Sequence, residues 1–233
     1  MAWTYIGNTL AISLYELCTF PLSLVLALLL NYLPSKRYRK AIQMISYAPH
    51  FISTVVMCGI ILQFLQARGG LINVLLNLVG IESRNWITYP SAFRHIYVWS
   101  GVWQGFGWSS IIYLAALSGV DPTLYDAAAV DGAGRFHRVL HVTLPCILPT
   151  IIIMFILRVG QFMTVGYDKI LLLYNSSIYE TADVISTFVY RKGIVESNFS
   201  FSAAVGVFNS LVNFVLVVVV NKISAKVSET SLW

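Results

Sequence analysis

The chain has 233 residues, 58% apolar and 11% charged, with a mean hydropathy of +0.75 and a formal net charge of +5. A soluble domain carries about a quarter charged residues, so the composition excludes a soluble globular fold and marks an integral membrane protein. The positive balance does not require nucleic acid as a partner, because Lys and Arg at the cytoplasmic ends of membrane spans account for it.

A hydrocarbon core of about 30 Å needs roughly 20 apolar residues in a helix. Five stretches meet that length: 8–30, interrupted only by Glu16; 41–65; 95–120; 142–166, with Arg158 inside it; and 199–221. Lipid offers no partner to an open strand edge, so all five are expected to be helices. The predicted fold class is an all-α, polytopic transmembrane bundle forming one domain. Residues 1–8 hold no Lys or Arg and the apolar run after them is long, so the first stretch reads as a retained span and not as a cleaved signal. Cys18, Cys58 and Cys146 have no metal-like spacing and read as packing residues. No metal or cofactor is expected.

Orientation follows from the short loops. Lys36, Arg37, Arg39 and Lys40 separate spans one and two, Arg135 and Arg138 separate three and four, and Lys222 and Lys226 follow five. The positive-inside rule puts these in the cytoplasm. The longer stretches 66–94 and 167–198, where basic residues are sparse and mixed with acids, then face outward. The chain is expected in the plasma (inner) membrane with a cytoplasmic C-terminus and Met1 outside.

Each outward stretch carries its own helical signal. The twelve apolar residues GLINVLLNLVGI (70–81) are too few to span and suit an interfacial helix. In YETADVISTFVYRKG, Thr181 is placed to cap a short amphipathic helix on which Val184, Ile185, Phe188 and Val189 recur at helical spacing.

The loop after span three, DPTLYDAAAVDGAGRFHRVLHVTLPCILP (121–149), is the one conspicuously polar connection. Asp121-Pro122 is a strong helix start, since the carboxylate accepts from orphan N–H groups and Pro at the first helical position loses no bond. Ala127, Ala128 and Ala129 give helical propensity with little bulk, so another protein can approach the backbone closely. Gly132 and Gly134 end or bend the helix. A second, basic helix over 135–141 is expected before the chain re-enters the membrane at Leu144-Pro145.

These residues resemble the EAA loop of binding-protein-dependent ABC importer permeases, whose pattern is Glu-Ala-Ala, three residues, Gly, nine residues, Ile, any residue, Leu-Pro. Asp126, Ala127, Ala128, Gly132, Val142, Leu144 and Pro145 fall at the matching offsets, with Asp126 for Glu and Val142 for Ile as the two departures. Asp131-Gly132-Ala133 matches the version common in sugar permeases. The pairing of YDKILLLYN (167–175) with YETADVISTFVYRKG (179–193) is similar to the oligosaccharide and polysaccharide branch, including permeases of lipoprotein- and alginate-uptake type. The resemblance implies that Tyr125, Asp126, Ala127, Ala128, Asp131, Gly132, Ala133, Gly134, Arg135, Leu144 and Pro145 couple the chain to cytoplasmic ATPases. It implies a second homologous permease subunit, two ATP-binding subunits, an extracytoplasmic solute-binding protein and a carbohydrate substrate. It also implies six core helices, so one more helix is expected upstream of the five.

Sugar sites combine aromatic faces with amides, hydroxyls and a few charges. Span three supplies Trp103, Gln104, Trp108 and Tyr113, whereas Tyr97 and Trp99 suit an aromatic belt at the outer interface. Arg158 should face a polar cavity, a subunit interface or the outer surface, since an intramembrane charge costs at least about 2.5 kcal/mol on insertion scales. Gln161 shares its face, and Glu16 is a possible ion partner. Tyr167 lies at the outer end of span four, and Asn209 and Asn213 form a polar stripe on span five, which interhelical hydrogen bonding explains equally well.

No Gly-x-x-x-x-Gly-Lys-Ser/Thr phosphate loop occurs, so ATP hydrolysis is expected on partner subunits and not here. His137 and His141 lack an acidic companion for a metal site. Import of another solute such as amino acids is the nearest alternative. A membrane-embedded enzyme using Glu16, His50 or Arg158, or a scaffold without a path, are alternatives of a different class.

Overall fold

One of the expected apolar runs is sharply bent and another is briefly broken, whereas α-helices of 29 and 30 residues cover two others without interruption. The computed structural model describes residues 2–228 and 230–232, and every regular element among them is helical. Met1, expected outside the membrane, falls beyond the described residues. The first span is α1 (Ala2–Cys18) followed by α2 (Pro21–Tyr32). Pro21 brings no N–H to the ladder, and the Thr19 hydroxyl at the break donates to the Glu16 carbonyl at 2.7 Å. Together they form an apolar run, Trp3–Tyr32, that begins before the predicted residue 8.

The predicted straight span over 41–65 is two helices. These are α3 (Lys36–Tyr47) and α4 (Thr54–Leu65), with a 3-10 turn Ala48–Phe51 between them and a bend of 101°. Pro49 sits in that turn, Ile52 and Ser53 are extended, and Ser53 Oγ caps α4 by accepting from Val56 N. Length and hydropathy register none of this, because each half is as apolar as a continuous span would be. An irregular backbone at this depth needs protein partners, and Gln104 supplies one by donating to the Ile52 carbonyl at 2.8 Å.

The short α5 (Leu71–Asn77) follows, within the predicted interfacial segment. Its Asn73 is buried and bonds Gln66 O, Arg84 N and O, and Trp86 Nε1, which ties the segment to its flanks. The stretch expected as the third span lies largely in α6 (Pro90–Ser118), 29 residues long. Next come α7 (Pro122–Val130), α8 (Arg135–Arg138), a π segment Val139–Thr143 and α9 (Leu144–Val159). Residues Arg135–Val159 form one helical run, so the expected separate basic helix over 135–141 is the first part of span four. Pro145 has no N–H to return to the carbonyl four residues back, and the turn before it opens until Leu144 N bonds Val139 O.

The stretch 167–198 folds as α10 (Tyr167–Leu173), α11 (Tyr179–Ala182), α12 (Ile185–Tyr190) and a π segment Arg191–Val195; α13 (Phe199–Ser228) completes the chain. Thr181 is no cap: it lies within α11 and its hydroxyl donates to Pro90 O at 2.9 Å. The N–H of Val184, at the start of α12, is taken instead by Thr187 Oγ1 at 3.0 Å. Val184 and Ile185 are buried, as their spacing predicts. Asn8 Nδ2 bonds the carbonyls of Glu180 and Asp183 while its Oδ1 accepts from Arg94, joining α1, α6 and the α11–α12 corner.

The central helix is α6, with α2, α3, α9 and α11 packed on it. Gly107 lets α3 approach, since a Cβ there would collide with the Ser46 backbone. One core joins Ile12, Met57, Phe93, Tyr97, Ile170, Leu173 and Val184 where α1, α4, α6 and α10–α12 meet; a second joins Ala27, Tyr113, Leu117 and Ile147 between α2, α6 and α9. Tyr97, expected in an aromatic belt, is 3% exposed in the first core.

Candidate functional site

Two regions combine groups that packing alone does not require. The first is the 121–145 loop. Asp121 Oδ1 accepts from Thr123 N at 2.9 Å, and that bond holds its carboxyl below the ordinary value of 3.8. The helix ends as a glycine C-cap: Gly132 has φ +76°, Gly132 N bonds Ala129 O at 3.1 Å and Ala133 N bonds Ala128 O at 2.9 Å. Arg138 Nε bonds Ala133 O, fixing the bend against the next helix. The predicted helix, glycine bend and helix are therefore present, although the second helix continues into the span.

No residue of α7 is buried. Val130 is 88% and Phe136 75% exposed, in a loop that also carries Asp126, Asp131, Arg135 and Arg138. Ala128, Asp131, Ala133, Arg135 and Phe136 line a shallow groove across the bend. Apolar side chains grouped on an exposed, charged surface are a feature shared by protein and membrane contacts.

One residue that the motif treats as arbitrary links this loop to the bundle. Thr143 is fully buried, and its Oγ1 lies 3.1 Å from Tyr125 Oη and 3.2 Å from Tyr32 Oη. Its own proton points to Arg138 O at 3.3 Å, so the two phenols are the donors. A single hydroxyl thus joins α7, the end of span one and the start of span four.

The second region is a cavity of about 430 Å³ between the two cores. It is bounded by the α1–α2 break, the middle of α6 and the end of α9. Arg158, Gln161 and Tyr113 line it, with Glu16, Thr19, Ser23 and Ser109 adding polar groups. Gly101 and Gly105 on α6 leave the space open. Arg158 Nη2 donates to Glu16 Oε2 at 2.9 Å across the cavity, with side chains 40% and 26% exposed.

Lys169 stands behind one wall. Its Nζ donates to Tyr97 O at 2.6 Å, sits 4.4 Å from the Tyr97 ring centre, and lies 3.3 Å from where a Cβ on Gly101 would be. Lys169 is on α10, outside the five spans. Burial pushes its ammonium down to about 8 while Glu16, Cys58 and Asp168 pull it back up. In sequence Lys169 is one of the sparse basic residues of the stretch 167–198, since no spacing rule connects it to residues 16 and 101.

The remaining pathway expectations lie elsewhere. Gln104 braces the span-two break, and Trp108 stacks on His50 at 4.6 Å beside Phe51; both are on a face of α6 turned from the cavity. Trp103 is on the surface, 42% exposed. Tyr167 stacks on Tyr190 at 5.4 Å. Asn213 bonds Met163 N and Thr164 Oγ1, closing the turn after α9, and Asn209 Oδ1 is buried without a partner.

Comparison with known proteins follows the same lines. The chain is 39% identical over 227 residues to the polygalacturonan/rhamnogalacturonan transport system permease protein YteP of Bacillus subtilis (strain 168), covering 97% of this chain and 71% of that protein. Protein LplB of the same organism is 40% identical with the same coverage. A crystal structure of a bacterial alginate ABC transporter, in complex with an alginate pentasaccharide-bound periplasmic protein, superposes with a TM-score of 0.95. It is 42% identical, with 98% of this chain and 80% of the other covered. Residues 20–229 match the family model described as the binding-protein-dependent transport system inner membrane component, and the chain belongs to that family.

Proposed function

We propose that this chain is one of two homologous permease subunits of an ABC importer for a carbohydrate, and that α7 docks on a cytoplasmic ATPase subunit. It acts as conduit and transmitter, while ATP is hydrolysed by its partners and an extracytoplasmic binding protein delivers the sugar. The glycine-capped α7 carries the reading, because it presents a helix with no buried residue and apolar groups at Val130 and Phe136 beside the bend. The names of the relatives, a pectic-polysaccharide permease and an alginate transporter, support the substrate class. The basic loops support a cytoplasmic C-terminus.

In this mechanism ATP-driven closure of the ATPases displaces α7. Tyr125 passes that displacement through Thr143 to Tyr32 and to α9, and α9 carries Arg158 into the cavity wall. Cysteine cross-linking from Ala127→Cys on exposed α7 to the co-expressed ATPase tests the contact. Cross-links that change in yield with bound nucleotide are expected. A complex that assembles and hydrolyses ATP with no α7 cross-link under any nucleotide would overturn the docking assignment.

A further inference from the structure

We infer that the Glu16–Arg158 pair is an exchangeable cover on a carboxylate site: the carboxylate of a uronic-acid sugar displaces Glu16 from the guanidinium, and the cavity thereby selects anionic over neutral saccharides. This deepens the carbohydrate-permease reading and holds only if that reading does. Glu16 and Arg158 are the only ionised groups among the described residues lining the cavity. They pair with each other, and the Lys169 ammonium stands behind the Gly101 wall, where it donates to the Tyr97 carbonyl with Asp168 beside it in sequence.

Arg158 gives Glu16 one hydrogen bond, from Nη2 to Oε2. Its other N–H groups bond no protein group among the described residues, and the side chain is 40% exposed within the cavity wall. A planar guanidinium presents five donors in a fork that matches a carboxylate in bidentate fashion, so an incoming carboxylate makes a better partner than the single contact it replaces. Released Glu16 stays beside Thr19 and Ser23, hydroxyls that line the same cavity. The volume of about 430 Å³ lies in the usual range of ligand pockets, roughly 300–1,000 Å³. A pair serving only as a structural tie has no need of either the open space or the second cation.

The test uses the complete transporter in lipid nanodiscs without its binding protein, so that only the membrane site discriminates. Calorimetry compares a galacturonate tetrasaccharide with the same oligosaccharide whose carboxylates have been reduced to hydroxymethyl groups. Wild type should bind the acidic form more tightly, and Arg158→Gln should lower the ratio of the two affinities by about tenfold or more. Glu16→Gln should raise affinity for the acidic form, because it removes the competing carboxylate. Equal losses for both sugars in Arg158→Gln, or weaker acidic binding in Glu16→Gln, would overturn the exchange site. If Arg158→Gln does not assemble, Glu16→Gln decides, since the cation remains and only its competitor is gone. A wild-type transporter that hydrolyses ATP but binds neither sugar would overturn the carbohydrate reading itself.

Discussion

The loop at 121–145 and the cavity around Arg158 are mirror images of one physical anomaly. The loop exposes apolar Val130 and Phe136 on a charged surface, whereas the cavity holds Glu16 and Arg158 within an apolar bundle. Each placement costs free energy in the isolated chain, and under the proposed function each is relieved by a different kind of partner, a protein surface for the first and a polar solute for the second. The loop is built from neighbours in sequence and the cavity from residues that folding brings together. The comparison teaches that the proposed coupling rests on local backbone geometry, while the proposed selectivity rests on tertiary placement of charge.

The sharpest way to break the comparison is at Gly132. Nothing lies within 4 Å of a Cβ built there, so a substitution meets no neighbour and its whole penalty comes from φ +76°. Gly132→Val should strain the bend by about 1–3 kcal/mol and reduce coupled uptake tenfold or more, with the cavity's sugar affinity intact; uptake and equilibrium binding measured side by side check this. A parallel loss of binding would mean that the two regions are not separable.

Thr143→Val tests the link between them. It keeps the shape and removes the acceptor of both phenols, at a cost of about 1 kcal/mol. Uptake should fall severalfold while the ATPase stays bound, measured as transport per ATP hydrolysed. A smaller effect is expected from Arg158→Glu, which sets two carboxylates against each other in half-exposed positions. The thermal midpoint should drop by the equivalent of about 1 kcal/mol, and Glu16→Arg combined with Arg158→Glu should restore it.

The smallest effect concerns pH at the loop. The Asp121 carboxyl is held below 3.8 by its bonds to Thr123. Its contribution is therefore present above that value and lost as the pH falls through the folded-state pKa. Asp121→Asn keeps a capping oxygen, so it should flatten the acid dependence of α7 protection in hydrogen exchange and leave neutral-pH protection nearly unchanged.

Legibility in the sequence divides along the same line. Asp121-Pro122, the alanines and Gly132 act within a few residues of one another, so spacing was enough to read the helix, its start and its bend. Additive hydropathy makes the apolar helices Trp3–Tyr32, Arg135–Val159 and Phe199–Ser228 legible, yet not the 101° bend between α3 and α4, since Pro49 and the extended Ile52-Ser53 leave the composition unchanged. The polar wall carried a signal that was missed: Glu16, Thr19 and Ser23 recur at helical spacing, and Gly101, Gly105, Ser109 and Tyr113 are each four apart. Lys169 and Thr143 carried none, because their roles arise from contacts with residues 97 and 101 and with 32 and 125. Gln104 and Trp108 carry the chemistry of a sugar site, and only the tertiary structure shows that they lie on the face of α6 turned from the cavity.

The most direct measurement is saccharide-stimulated ATP hydrolysis by the reconstituted complex, compared between the wild-type chain and Gly132→Val. The docking account predicts strong stimulation by sugar-loaded binding protein in the wild type. It predicts ATPase uncoupled from sugar, or an ATPase that no longer assembles, in the variant. Equal stimulation in both would contradict the assignment of the glycine-capped helix as the coupling element.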